Sequence, residues 1–325
     1  MTTIDLITGI LGAGKTTFLL RYARYFLNRG ERIAILVNDF GAVNVDLLLL
    51  KELAGEQCEI VTICGCGDPN AHRRRYKTQL TALGMQHFDR VIIEPSGIFD
   101  MDEFFDPLYE PPLDRWFSVG SILTIIDAGM EDDLGEQMEF LLGSEAAGAG
   151  RLIVSKLSAV PREARSELPE RLLAHVNRTL RELKSDRQFR EEELFIKEWD
   201  TLTEDEFEML SHAGYRSASY VKRFNAQTIR SSVHYFMHIC IPEMQIEGTI
   251  RAVMEDVGCG HIYRIKGSLP TANGWCKINA TREATEISPV TDGQAVLIVI
   301  GDALDREQID LHFKAVNTDP EYVSV

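Results

Sequence analysis

Short apolar runs alternate with helical periodicities over the first two thirds of the chain. Residues 4–8, 32–37, 59–63, 90–93, 121–126 and 152–154 are aliphatic and β-branched, each bounded by polar residues or glycine. Strands buried on both faces of a parallel sheet carry that pattern. Between the first two runs, Phe18, Leu19, Tyr22, Tyr25 and Phe26 recur at spacings of three and four, which predicts a helix over 17–27. A further helix is expected around 138–142. The alternation predicts an α/β fold, a doubly wound, mainly parallel sheet with its ligand at the carboxyl ends of the strands. From 166 to 209 the chain is charge-rich and helical. Leu168, Leu172, Leu173, Val176, Leu180 and Leu183 form its apolar stripe, and the charges read as a solvated face. A polar stretch without core pattern follows. The expected division is a first domain over 1–215, a linker over 216–232 and a smaller α+β domain over 233–325. In the last, 233–241, 275–280 and 293–300 read as strands, with helices over 246–253 and 305–313.

A formal net charge of −16 argues against nucleic acid or an anionic membrane as partner, because phosphate binding needs a basic surface. The leucine run 47–50 is four residues and the longest aliphatic run, 295–300, is six, both too short to cross a bilayer. No leader is visible, since the chain enters a strand almost at once. Six cysteines in 325 residues then suggest reduced thiols or metal ligands and a cytoplasmic location, not a disulfide framework.

Chemistry concentrates in residues 9–17, Gly-Ile-Leu-Gly-Ala-Gly-Lys-Thr-Thr. Gly9, Gly14, Lys15 and Thr16 fill the P-loop spacing G-x-x-x-x-G-K-S/T between a predicted strand and a predicted helix, the context that motif requires. The glycines, with Gly12 and Ala13, let backbone N–H groups curl around an anion, and the helix dipole adds a favourable field. Lys15 is expected on the outer phosphates of a nucleoside triphosphate and the Thr16 hydroxyl on a magnesium ion, with Thr17 completing the cradle. Glu94 closes the apolar run 90–93 and Gly97 follows three residues later. In P-loop proteins a strand-end carboxylate serves Mg2+ or its water, and the glycine N–H meets the γ-phosphate.

This ordered set resembles the CobW-like P-loop GTPases, the CobW/HypB/UreG group of metal- and cobalamin-related proteins. The resemblance runs through residues 9–17, Asn38-Asp39-Phe40-Gly41 to Asp46, Cys64-Gly65-Cys66, Glu94-Pro95-Ser96-Gly97 and 124–128. It continues at 263–267, Trp275 and 299–305. It implies a P-loop GTPase that couples binding and hydrolysis of GTP to the handling of a metal ion or metallocofactor. The recipient would be a client metalloprotein or a cobalamin enzyme, and a homodimer is left open. By the same resemblance Lys15 and Glu94 are catalytic and Asp39 falls in the first switch. Cys64 and Cys66 match two thiols of a Cys-x-Cys-Cys motif for a transition metal such as zinc or cobalt. Ser155 and Lys156 stand where the family reads the base. Extended backbone points residues i and i+2 to one side, and a Zn–S bond of about 2.3 Å needs sulfurs under about 4 Å apart. The spacing alone serves a metal or a tight turn equally.

Two positions depart from the family pattern. Gly67 replaces the third thiol, leaving Asp39, Asp68 and His72 as the nearest further ligands. Ser155-Lys156-Leu157-Ser158 replaces Asn-Lys-x-Asp, so a carboxylate acceptor for guanine is missing and ATP becomes an alternative. A small-molecule kinase or ligase, with 72–77 as a basic lid, and a nucleotide-binding module without turnover are the rival readings. His234, Phe236, His238 and Cys240 would share a strand face, with Cys259 and His261 further along. They can hold a metal or simply pack. Trp199 reads as core.

Overall fold

A computed structural model describes residues 1–39, 50–64, 69–96, 101–224, 233–281 and 285–324. These fall into two units, within 1–226 and 227–325. In the first, β1 (Thr2–Thr8), β2 (Ile33–Asp39), β3 (Cys58–Cys64), β4 (Arg90–Pro95), β5 (Phe117–Asp127), β6 (Arg151–Ser155) and β7 (Leu194–Phe195) form one sheet. Its order is β3-β2-β4-β1-β5-β6-β7, and every pairing is parallel. The apolar runs therefore fill its centre: Ile4, Leu6, Ile35, Leu36, Ile92, Ile125 and Ile153 are buried. Connecting helices are α1 (Lys15–Asn28), α2 (Pro69–Met85), α3 (Met101–Leu108), α4 (Glu136–Ala147), α5 (Leu168–Glu182) and α6 (Glu204–Ser211). The stripe Leu168, Leu172, Val176, Leu180 and Leu183 is buried as its spacing requires. Among the described residues no helix is long and apolar enough to cross a membrane.

Residues 215–224 run along this first unit. Val221 N–H donates to Leu183 O at 2.8 Å, Ser219 N–H to Asp186 at 3.1 Å, and Phe224 meets the Phe140 ring at 5.6 Å. Backbone bonds hold the stretch, so its side chains need no apolar period.

The second unit is a six-stranded antiparallel sheet of β8 (Val233–Met237), β9 (His261–Thr271), β10 (Gly274–Ala280), β11 (Thr285–Val290), β12 (Val296–Asp302) and β13 (Val323–Ser324). The order is β11-β10-β9-β12-β8-β13. Helices α7 (Glu243–Glu255) and α8 (Arg306–Val316) contribute Ile246, Ile250, Val253, Ile309 and Phe313 to a core with Phe236, Ile265, Ile278, Leu297 and Val299. Asp305 caps α8, accepting from Glu307 N–H at 3.0 Å and Gln308 N–H at 3.1 Å. The expected shared face of His234, His238 and Cys240 does not form. Strand β8 stops at Met237 and His238 turns left-handed, with φ of 52°, which breaks the two-residue period.

At the amino edge of the parallel sheet a charge is buried in the first unit. Asp5 is inaccessible, yet it accepts from Tyr22 Oη at 2.9 Å, from Ser121 N–H at 2.7 Å and from Arg90, whose guanidinium also lies 4.1 Å from the Phe26 ring. Removing one partner of a buried pair strands the other charge. Arg90→Ala is therefore expected to cost about 3 kcal/mol or more, measured by chemical denaturation of the first unit's transition. A loss below about 1 kcal/mol, the range of an exposed pair, would show that Asp5 does not depend on it.

Candidate functional site

Strand β1 delivers the chain to the carboxyl edge of the sheet between β4 and β5, and the glycine loop begins there. Gly9 has φ of 142°, and a Cβ on it would lie 2.5 Å from Ile125 O. No other residue fits that approach. Gly14, left-handed with φ of 101°, turns the loop into α1, whose first residues Lys15 and Thr16 are buried. First-turn amides of a helix have no intrahelical acceptor and sit at the positive end of its dipole. Loop and helix together make an anion cradle.

Three charged or polar groups predicted from sequence converge here. Lys15 Nζ donates to Gly9 O at 2.8 Å, folding the ammonium back over the loop. Thr16 Oγ1 donates to Glu94 Oε1 at 2.6 Å, across 78 positions of sequence. Lys15, Thr16 and Glu94 are each 6–7 % exposed. A hydroxyl and a carboxylate facing one another in a dry site are hard oxygen donors, the set that suits Mg2+.

Glu145 was not singled out by sequence. It lies on α4, fully buried, and burial pushes its carboxyl up to about 8. The Lys15 ammonium, the Thr8 hydroxyl and the Gly9 amide pull more weakly the other way. One signal was available: a lone acid among small apolar residues in 140–149.

On the other side of the loop, Gly14, Ser155 and Trp199 close together. A Cβ on Gly14 would lie 3.5 Å from the Trp199 ring and 3.7 Å from Ser155 Cβ. The indole also meets Phe18 edge-on at 5.3 Å, and its buried Nε1–H has no acceptor among the described residues. Trp199 is thus a half-buried wall beside the loop and not core filler. Lys156 is left-handed, with φ of 53°, and its ammonium pairs with Asp127 at the end of β5. Ser158 is exposed. Arg165 ties this edge together, donating to Leu157 O at 2.6 Å and pairing with Glu198 at 3.0 Å.

Asp39 and Cys64 end neighbouring strands and are register partners. Glu94 is level with Val37, itself level with Thr62. Two strand spacings and two residues of rise put the Cys64 backbone about 12 Å from that of Glu94. The side chains of Asp39 and Cys64, and all of Cys66 and Gly97, lie outside the described residues. The basic run is the start of α2, where Arg73 pairs with Asp106 at 3.0 Å and Lys77 with Glu110.

Because the folded-state pKa of Glu145 is raised, the folded protein keeps a proton that the unfolded chain releases. That contribution is full below the ordinary value of 4.5 and fades as pH rises through about 8. Glu145→Gln, which cannot ionise, is expected to flatten the fall in denaturation midpoint across this window and to be the more stable protein above it. Parallel pH profiles for the two proteins would contradict this.

The sequence model of the family described as CobW/HypB/UreG, nucleotide-binding domain, matches residues 3–184. Zinc chaperone YeiR of Escherichia coli strain K12 is 34 % identical over 127 residues, 39 % of this chain and 38 % of its own. Zinc chaperone YjiA of the same strain is 32 % identical over 182 residues, 54 % of each chain. The chain thus spans about half or less of the length of these relatives. The crystal structure of Zn(II)-bound YjiA GTPase aligns over 98 % of this chain and 99 % of its own, with 15 % identity and a TM-score of 0.40. With more than half of its length under the family model and the loop, lysine, threonine and strand-end glutamate in place, the chain belongs to the CobW/HypB/UreG family.

Proposed function

We propose that this protein is a GTP-binding and GTP-hydrolysing metallochaperone, in which the state of the nucleotide controls a thiol metal site at Cys64 and Cys66. The observation that carries the reading is the buried set of Lys15, Thr16 and Glu94 on the carboxyl edge where β2 and β3 also end. Lys15 exchanges the Gly9 carbonyl for the outer phosphates, at little desolvation cost because it is already dry. Thr16 and Glu94 hold Mg2+, which neutralises charge on the terminal phosphates when bound. Gly97 contacts the γ-phosphate, so the segments after β4 and β2 respond to its loss. Asp39 begins one of those segments and is the register partner of Cys64. The cargo is zinc or a similar thiophilic ion, delivered to a client metalloprotein. The curated relatives named zinc chaperones support that choice.

A kinase-type lid is disfavoured because Arg73 and Lys77 are engaged by Asp106 and Glu110 on the neighbouring segment. The base side is less specialised. Asp127 is paired with Lys156 and Glu198 with Arg165, which leaves Ser158 as a neutral acceptor. Guanine preference is expected to be modest, and Ser158→Asp should raise the ratio of GTP to ATP affinity about fivefold or more. An unchanged ratio would place base selection elsewhere.

The coupling is tested by zinc affinity under reducing conditions, with a non-hydrolysable GTP analogue and Mg2+ or with no nucleotide. At least about tenfold tighter binding is expected with the analogue, a coupling of about 1.4 kcal/mol, and none in Lys15→Ala. Equal affinities in the two states would overturn the reading.

A further inference from the structure

A second set of metal-ligating side chains lies in the second unit. Asp256, Cys259 and His312 bring a carboxylate oxygen, a thiol sulfur and an imidazole nitrogen within 4.8 Å of one another. Asp256 caps the short turn Val257–Cys259, accepting from Gly258 N–H at 2.8 Å, which fixes the carboxylate. His312 on α8 reaches its other oxygen, Nε2 to Oδ2 at 2.8 Å, and the Cys259 thiol also bonds to Asp256. A backbone bond from Asp305 N–H to Cys259 O at 3.1 Å ties the turn to the start of α8. Three donors from two elements are thus held by an Asx cap, a helix and a cross-link. None of them belongs to the first unit.

We propose that Asp256, Cys259 and His312 bind a divalent transition-metal ion of the zinc or cobalt type. Thiolate, imidazole and carboxylate are the mixed soft and borderline donors such ions prefer to Mg2+ or Ca2+. Tetrahedral bonds of about 2.0–2.3 Å need ligand atoms about 3.3–3.6 Å apart. The present spacings reach that with small side-chain rotations. The carboxylate now gathers hydrogens from a thiol and an imidazole, the places a metal takes in their stead. On binding, the Cys259 S–H proton leaves to solvent and the imidazole proton moves to Nδ1, so the ligand set contributes a net charge of −2. Cys259 is fully buried, whereas the Asp256 and His312 side chains are 38 % and 30 % exposed. The ion would enter from their side and keep its fourth position for solvent or a donor from a partner. Closed structural sites have four protein ligands. Three ligands and an open position fit an exchangeable ion.

Cys64 and Cys66 are no part of this cluster, and their removal isolates it. Full-length Cys64→Ser/Cys66→Ser protein is titrated with Co2+ under reducing conditions. The expected result is one tightly bound equivalent with a thiolate-to-cobalt charge-transfer band. Adding Cys259→Ser should abolish the band, and His312→Gln, a half-exposed change, should weaken binding about a hundredfold or more. Circular dichroism and nucleotide affinity check that each variant folds. No charge-transfer band, or a band unchanged by both substitutions, would overturn the proposal. Loss of the band in Cys259→Ser with unchanged affinity in His312→Gln would overturn the three-ligand site as well.

Discussion

A cluster of polar groups kept dry around one glycine loop is the constraint on which the first unit depends. Lys15, Thr16, Glu94 and Glu145 are all buried beside it. Charges in such a place are expensive unless paired. The protein meets that cost with a lysine turned onto a backbone carbonyl, a threonine bonded to one carboxylate, and a second carboxyl pushed toward its neutral form. Under the proposed function, the first two arrangements hold the places that a nucleotide's phosphates and its metal ion take over. The parallel sheet is the frame for this: β1, β4 and β5 are adjacent, so Thr16 meets Glu94 and Gly9 lies against Ile125 although the sequence scatters them.

The second unit solves a different problem with different means. Its antiparallel sheet buries one apolar face under two helices, and the turn before β9 is pinned to α8 by the Asp256–His312 hydrogen bond and by Asp305 N–H on Cys259 O, with the Cys259 thiol beside them. Packing alone needs none of those three groups. The two metal sites proposed, one in each unit, would favour the same class of ion.

Much of the fold was legible because buried parallel strands leave continuous apolar runs, and β1 to β6 fall close to them. Strands β9 and β11 were not foreseen. β9 carries His261, Arg264, Lys266, Gly267 and Pro270, and β11 is largely exposed, so neither shows an apolar signature. Lys15, Thr16 and Glu94 could be read from spacing, since a P-loop and a strand-end acid are local patterns. Trp199 and Glu145 could not be assigned, because the fold carries them to the loop from 185 and 131 positions beyond Gly14. Cys259 was noticed beside His261, yet the groups the fold brings to it are Asp256 and His312, the latter on a helix that sequence placed but could not dock.

The central claim is that nucleotide and thiol-bound metal share one free energy, and such linkage acts in both directions. The most direct measurement is calorimetric affinity for a non-hydrolysable GTP analogue, with and without saturating zinc, in the native protein and in Cys64→Ser/Cys66→Ser. Coupling requires zinc to tighten the analogue in the native protein and to leave the double variant unchanged. An analogue affinity indifferent to zinc in the native protein, or raised equally in both, would contradict it.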